Sequence, residues 1–151
     1  GGRGDGETGR RGDGEACRAR GDLVEAHPMK IIRHTELEVF QRAVDSAMRV
    51  FETSKCFPKE ETYSLTDQVR RSSRSVAANI TEAWRKRRYE AAFISKLSDA
   101  EAEAGETQTW LLFAHRCGYL NEERFNTVTE EYEVILRMIV SMIANAKKWI
   151  L

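Results

Sequence analysis

The side chains best suited to bind a metal or act as nucleophiles are three histidines, His27, His34 and His115, and three cysteines, Cys17, Cys56 and Cys117. Carboxylate-bridged metal sites inside helical bundles need a Glu-x-x-His pair from each of two helices. The residue three before His115 is Leu112, so no such pair exists. Zinc needs clustered Cys and His, and these six are scattered. His115 and Cys117 stand two apart, which on a helix turns them to different sides. No phosphate-cradling loop, dinucleotide fingerprint or Gly-x-Ser-x-Gly elbow occurs. The sequence therefore offers no catalytic residue, metal ligand, cofactor site or small-molecule substrate, and the expectation is a protein without enzymatic activity.

Charge is the chemistry that remains. Arg70, Arg71, Arg74, Arg85, Lys86, Arg87 and Arg88 fall in one stretch in which Glu82 is the sole carboxylate after Asp67. At about 100° per residue, Arg74, Arg85 and Arg88 share a face if the helix runs through them, and Arg70 lies one turn before Arg74. Such a ridge suits phosphates, through charge and bidentate hydrogen bonding, which makes RNA or DNA a partner. Trp84 and Tyr89 lie within it, able to stack on bases or to pack into a core. The competing reading is a solvated cationic face on a protein-interaction scaffold. A structural polar network is a further expectation: Asn79, Glu82 and Glu103, with Glu101 and Glu106, either share contacts that fix helix register or form a solvated face.

These side chains need a scaffold, and the breakers outline it. From Met29 onward only Gly105, Gly118 and Pro58 interrupt a sequence rich in Ala, Glu, Arg and Leu, which reads as all-α. A first helix from about Glu36 to Ser54 starts at a Thr35/Glu38 capping box. Leu37, Phe40, Val44, Met48 and Phe51 form its apolar stripe, and it stops before Pro58. A second begins after Ser64, with Asp67 in capping-box register and Leu65, Val69, Ser72, Val76, Ile80 and Ala83 or Trp84 facing inward. The third spans roughly Tyr89 to Cys117, buries Phe93, Leu97, Ala100, Ala104, Thr107, Leu111 and Ala114, and ends at Gly118 in the left-handed C′ position. Asn121 caps the fourth, whose stripe is Phe125, Val128, Tyr132, Ile135, Ile139, Met142, Ala146 and Trp149. Short loops between long helices predict an antiparallel up-down-up-down four-helix bundle over residues 29–151.

The fourth helix is apolar almost all round from Val134 to Ile143, and Trp110 to Phe113 resembles it. A second apolar face asks for a second partner. Trp110, Phe113, Leu136, Val140 and Ile143 are thus candidates for a homo-oligomer interface, against the alternative of a wide core stripe. The 24 Lys and Arg balance 24 Asp and Glu, so net charge directs the chain neither to membrane nor to nucleic acid. The odd, widely spaced cysteines give no secreted disulfide framework, and no signal-like or spanning segment is seen. A cytoplasmic location with no membrane partner is expected. Residues 1–28 repeat Arg-Gly-Asp-Gly-Glu, at 3 and again at 11. With almost no apolar surface, this tail is expected to be disordered, its Arg-Gly-Asp triplets compositional, and Met29 the natural start.

The stretch Gln68-Val69-Arg70-Arg71-Ser72-Ser73-Arg74-Ser75-Val76-Ala77-Ala78-Asn79-Ile80-Thr81-Glu82-Ala83 resembles the Gln-x-x-Arg-x-x-x-Ser-x-x-x-Asn-Ile-x-Glu-Gly signature of a bacterial family. These are small four-helix bundle proteins encoded in intervening sequences of 23S rRNA genes. Phe57 to Leu65 and Leu37 to Ala43 fit as well, and the resemblance covers about Thr35 to Leu151. Ala83 stands where the family has Gly, and Ser98-Asp99-Ala100-Glu101 replaces a Gly-Ser step. The resemblance implies a homopentameric ring, a nucleic-acid role and no catalysis. It extends to the accessory proteins of diversity-generating retroelements, which partner a reverse transcriptase. On that likeness Arg70, Arg71, Arg74 and Arg85 to Arg88 are the contacts, with partnership without direct nucleic-acid binding as the alternative.

Overall fold

The computed structural model describes residues 30–151; the expectations for the tail and for Met29 lie outside the described residues. Four helices carry the fold: α1 (Glu38–Ser54), α2 (Leu65–Arg85), α3 (Glu90–Arg116) and α4 (Glu122–Ala144). Single 3-10 turns occupy His34–Glu36, Lys59–Glu61 and Ala146–Lys148. Each helix packs on its chain neighbours and α1 closes on α4. Contacts across the three seams between chain neighbours run in opposite chain directions. Ser72 meets Thr107 while Glu82 meets Lys96. Gln108 meets Glu133 while His115 stacks on Phe125. Arg70 meets Ser54 while Arg74 lies over Phe51.

The stripes of α3 and α4 bury as their spacing requires. Phe93, Leu97, Ala100, Ala104, Thr107, Leu111 and Ala114 face inward from α3, and Val128, Tyr132, Ile135, Ile139 and Met142 from α4. Phe125 and Trp149 are only half-buried, and Trp149 follows the last 3-10 turn rather than extending α4. Gly118 ends α3 with φ of 80°. That left-handed geometry lets the Tyr119 amide reach the Ala114 carbonyl at 2.9 Å, closing the helix end. Asn121 caps α4 through its side-chain oxygen, 2.8 Å from the Arg124 amide.

The first helix departs from expectation. Its buried residues are Val39, Ala43, Ser46, Val50, Thr53 and Ser54. Of the expected stripe only Leu37 is buried; Val44 is exposed and Met48 is 53% exposed. Small residues on the buried face let neighbouring helices approach, and this outweighs the larger apolar surface on the other side. Thr35 is not the cap either. The Glu36 carboxylate folds back on the amides of Ile32 and Arg33, at 2.7 and 2.8 Å. This closes the 3-10 turn, holds the Glu36 carboxyl below its usual range, and leaves Leu37 as N-cap with no side-chain hydrogen bond. At α2 the Ser64 hydroxyl does not cap; Glu61 accepts from the Leu65 amide at 3.1 Å.

One buried polar chain crosses the α2–α3 seam. The hydroxyls of Ser72 and Thr107 lie 2.8 Å apart, and Thr107 reaches the Glu103 carbonyl at 2.9 Å. The buried polar contact across this seam is thus made by two hydroxyls, while Glu82, of the three residues Asn79, Glu82 and Glu103, crosses the same seam at the surface. Asn79 bonds back to the Ser75 carbonyl of its own helix. Glu82 is exposed and pairs with Lys96 at 2.7 Å. The half-buried Glu103 carboxyl is pushed up by burial and by the charges of Glu106 and Asp99, with Arg71 opposing. The native state therefore binds this proton more tightly than the unfolded chain. Its contribution to stability is full below the ordinary carboxylate range and lost as pH rises through the raised value. Glu103→Gln is expected to raise the urea midpoint at neutral pH, and the gain should shrink as pH falls through the carboxylate range.

Candidate nucleic-acid interface

The seven basic residues do not form one ridge. α2 ends at Arg85, and residues 86–88 form the turn into α3, so Arg88 leaves the face of Arg74. Arg70, Arg74 and Arg85 remain on the side of α2 toward α1, with Arg85 about 16 Å along the axis from Arg74. Arg70 is committed to packing: its Nε donates to Ser54 Oγ at 2.7 Å, and its guanidinium lies 4.8 Å from the Phe51 ring centroid. Lys55 and Arg74 approach the same ring at 4.8 and 5.9 Å. Arg71 points toward the α3 side, 4.0 Å from Asp67.

The turn after α2 holds the remainder. Arg87 lies 3.4 Å from the Trp84 ring centroid and donates through Nε to the Trp84 carbonyl at 2.9 Å. Burial, then the charge of Arg85, lower the affinity of its guanidinium for the proton. Arg85, Lys86 and Arg88 are exposed. The C-terminal 3-10 turn adds two cations. The Leu151 amide donates to the Arg87 carbonyl at 3.1 Å, and Lys147 and Lys148 line a shallow cleft with Glu90. Because the helices alternate in direction, Lys30 and Arg33, which precede α1, lie at this end too. The opposite end sets Glu52, Glu60, Glu61, Glu122 and Glu123 against Lys55, Lys59, Arg116 and Arg124, so its charges offset.

Arg42, Arg49, Lys96 and Arg137 each form an ion pair with a carboxylate. Among the described residues, Arg85, Lys86, Arg87, Arg88, Lys147 and Lys148 form none, nor do Lys59, Arg116 and Arg124 at the opposite end; what sets the basic end apart is the crowding of such cations. Crowding unpaired cations costs folding free energy unless an anion neutralises them. Sequence reasoning missed Lys147 and Lys148 because only the closed bundle brings the last turn against Arg87.

The remaining chemistry-bearing residues serve packing or face solvent. The His115 ring stacks on Phe125 at 4.7 Å, and its Nδ1 lies 3.0 Å from the Leu120 carbonyl, a contact that requires the Nδ1–H tautomer. Cys56 and Cys117 are exposed free thiols. Among the described residues no cluster of three or more His, Cys, Asp or Glu is placed to hold a metal ion, and no helix is long and apolar enough to cross a membrane.

Residues 35–141 match the model of the family described as 23S rRNA-intervening sequence protein. The chain belongs to this family. A crystal structure at 1.70 Å of a protein with unknown function, from the S23 ribosomal protein family of Bacteroides thetaiotaomicron VPI-5482, is 30% identical in sequence. The likeness covers 70% of this chain and 97% of that one, with a TM-score of 0.64. No curated protein matches. In this member of the 23S rRNA-intervening sequence proteins, the signature stretch from Gln68 to Ala83 forms most of α2. Its Arg70 and Ser72 hold helices together, at Ser54 and Thr107 respectively. These two signature residues serve bundle packing; Arg74, also in the signature, is exposed without an ion pair among the described residues, and the denser run of such cations follows at Arg85 to Arg88.

The residues expected at an oligomer interface fall on two surfaces. Phe113, 54% exposed, and Trp110 line a groove of about 450 Å³ with Tyr63, Leu65, Gln68 and Cys117 on the α2–α3 side. Leu136, Val140 and Ile143 lie on α4, with Val140 49% exposed and the other two half-buried.

Proposed function

We propose that this protein is a non-enzymatic, cytoplasmic homo-oligomer that binds RNA or DNA through the basic end of its bundle. The single observation carrying the reading is the gathering of Arg85, Lys86, Arg87, Arg88, Lys147 and Lys148 without a carboxylate partner among the described residues. Phosphates are the anions that satisfy several such cations together, and the entropy of released counterions drives the association. The two apolar surfaces, around Phe113 and around Val140, support assembly, since a closed ring needs two different complementary patches on each subunit. The ring of five implied by the family likeness would repeat the basic end around its axis and multiply weak contacts.

Sedimentation of the protein with labelled structured RNA across a salt series tests both parts. Binding should weaken linearly in log affinity against log salt, and the free protein should sediment above its 17.3 kDa chain mass. Absence of binding at low salt overturns the nucleic-acid reading, and a clean monomer at micromolar concentration overturns assembly. The groove at Trp110 and Phe113 favours a second reading, an accessory subunit that docks a protein such as a reverse transcriptase and has no direct nucleic-acid contact.

A further inference from the structure

From the geometry of the α2–α3 turn we infer that Tyr89 is a stacking platform for an unpaired base, so that the strand bound at the basic end is single-stranded. The inference rests on the phosphate-binding role proposed for that end. Two aromatic residues, Trp84 and Tyr89, are interleaved with the cations, and the fold gives them opposite fates. Trp84 is buried, with Arg87 laid over its ring. Tyr89 is 69% exposed and packs against neither the core nor another aromatic ring among the described residues.

The backbone that carries this ring is held on both sides. The Tyr89 amide donates to the Lys86 carbonyl at 3.1 Å, and its carbonyl accepts from the Phe93 amide at 3.0 Å as α3 begins. Its φ of −123° and ψ of 112° are ordinary extended values, so the ring projects from an unstrained, fixed mount. A ring held open to water adds nothing to the core, and its free π-face is the feature a ligand can use. Lys86 and Arg88 precede it in sequence, and Glu90 follows it. Lys147 and Lys148 stand across the cleft from its neighbour Glu90, the half-buried carboxylate of this end.

Cations beside an open aromatic face match the geometry of a single strand, whose bases splay out next to their own phosphates. In a duplex the base faces are already stacked on one another, so a ring placed beside the phosphates has no π-face to meet. Tyr63 provides a contrast. It is 94% exposed but follows Glu60 and Glu61, whose charge repels phosphate.

The test measures the affinity of the full chain for a labelled oligouridylate, an abasic strand of equal charge and a GC-rich duplex, each across a salt series. Tyr89→Ala should weaken oligouridylate binding by about ten- to a hundredfold, with the salt slope unchanged. It should leave the abasic strand and the duplex as in wild type. Tyr89→Phe should retain most of the affinity, and Tyr63→Ala all of it. Lys86→Ala with Arg88→Ala should weaken all three ligands and lower the salt slope. If Tyr89→Ala binds oligouridylate like wild type while the lysine and arginine variant weakens it, stacking is overturned and phosphate binding stands. If wild type binds none of the three at low salt, both readings fall.

Discussion

Phe93→Ala is expected to lower the unfolding free energy by about 3–5 kcal/mol, a large share of the roughly 5–15 kcal/mol that holds a domain of this size. Phe93 is fully buried in the first turns of α3 and is among the largest side chains in the core. Its removal leaves a cavity beside the closest seam of the bundle. That seam is built from small residues, Ser72, Ser73 and Ala83 on α2 and Ala100 and Ala104 on α3. They allow the backbones to approach but offer no long side chain to swing into a void. The cavity term should therefore stay near its full size. Urea denaturation at fixed protein concentration measures the effect, since assembly would couple stability to concentration. A midpoint shift equivalent to less than about 1 kcal/mol at unchanged slope would show that α3 does not pack as described.

How readily each helix could be read from sequence depended on whether one apolar face dominated it. In α3 the inward residues recur from Phe93 to Ala114 at helical spacing and Gly118 marks the end, so phase and boundaries follow even though Ile94, Trp110, Leu112 and Phe113 place apolar surface outside the stripe. In α1 two faces compete. The outer one carries Val44 and Met48, and the inner one carries Ala43 and Ser46 between Val39 and Val50, followed by Thr53 and Ser54. Counting apolar side chains selects the outer face. Packing selects the inner one, because Ser46 must admit Glu131 of α4 at 3.2 Å and Ser54 must accept from Arg70. Residue size, invisible to a hydrophobic count, set the phase.

Capping signals were misread for a related reason. Thr35 and Ser64 have the right type and spacing, but neither side chain caps; Glu36 instead accepts from the amides of Ile32 and Arg33 and Glu61 from that of Leu65, and such charge-assisted hydrogen bonds are stronger than neutral ones. At the candidate site, composition located the run from Arg85 to Arg88 but could not show where α2 ends. That ending removes Arg88 from the ridge and turns Tyr89 outward while Trp84 stays inside.

The same geometry sets the largest expected effect on binding. A variant replacing Lys86, Arg88, Lys147 and Lys148 with alanine should lower the slope of log affinity against log salt by about three to four, roughly one for each phosphate left without its cation. All four side chains are exposed and form no ion pair among the described residues, so the fold should survive and circular dichroism should match wild type. Arg71→Ala is the matched comparison. It removes a cation from the signature stretch but from the α3 side of α2, where Asp67 already stands 4.0 Å away, and the slope should hold. Two of the four replaced residues are far from α2 in sequence. A slope that responds to Arg71 and Arg74 but not to Lys147 and Lys148 would place the phosphates along α2 and not at the end of the bundle. The converse would tie the interface to the docking of the last turn on the Arg87 carbonyl, making phosphate affinity depend on closure of the whole fold.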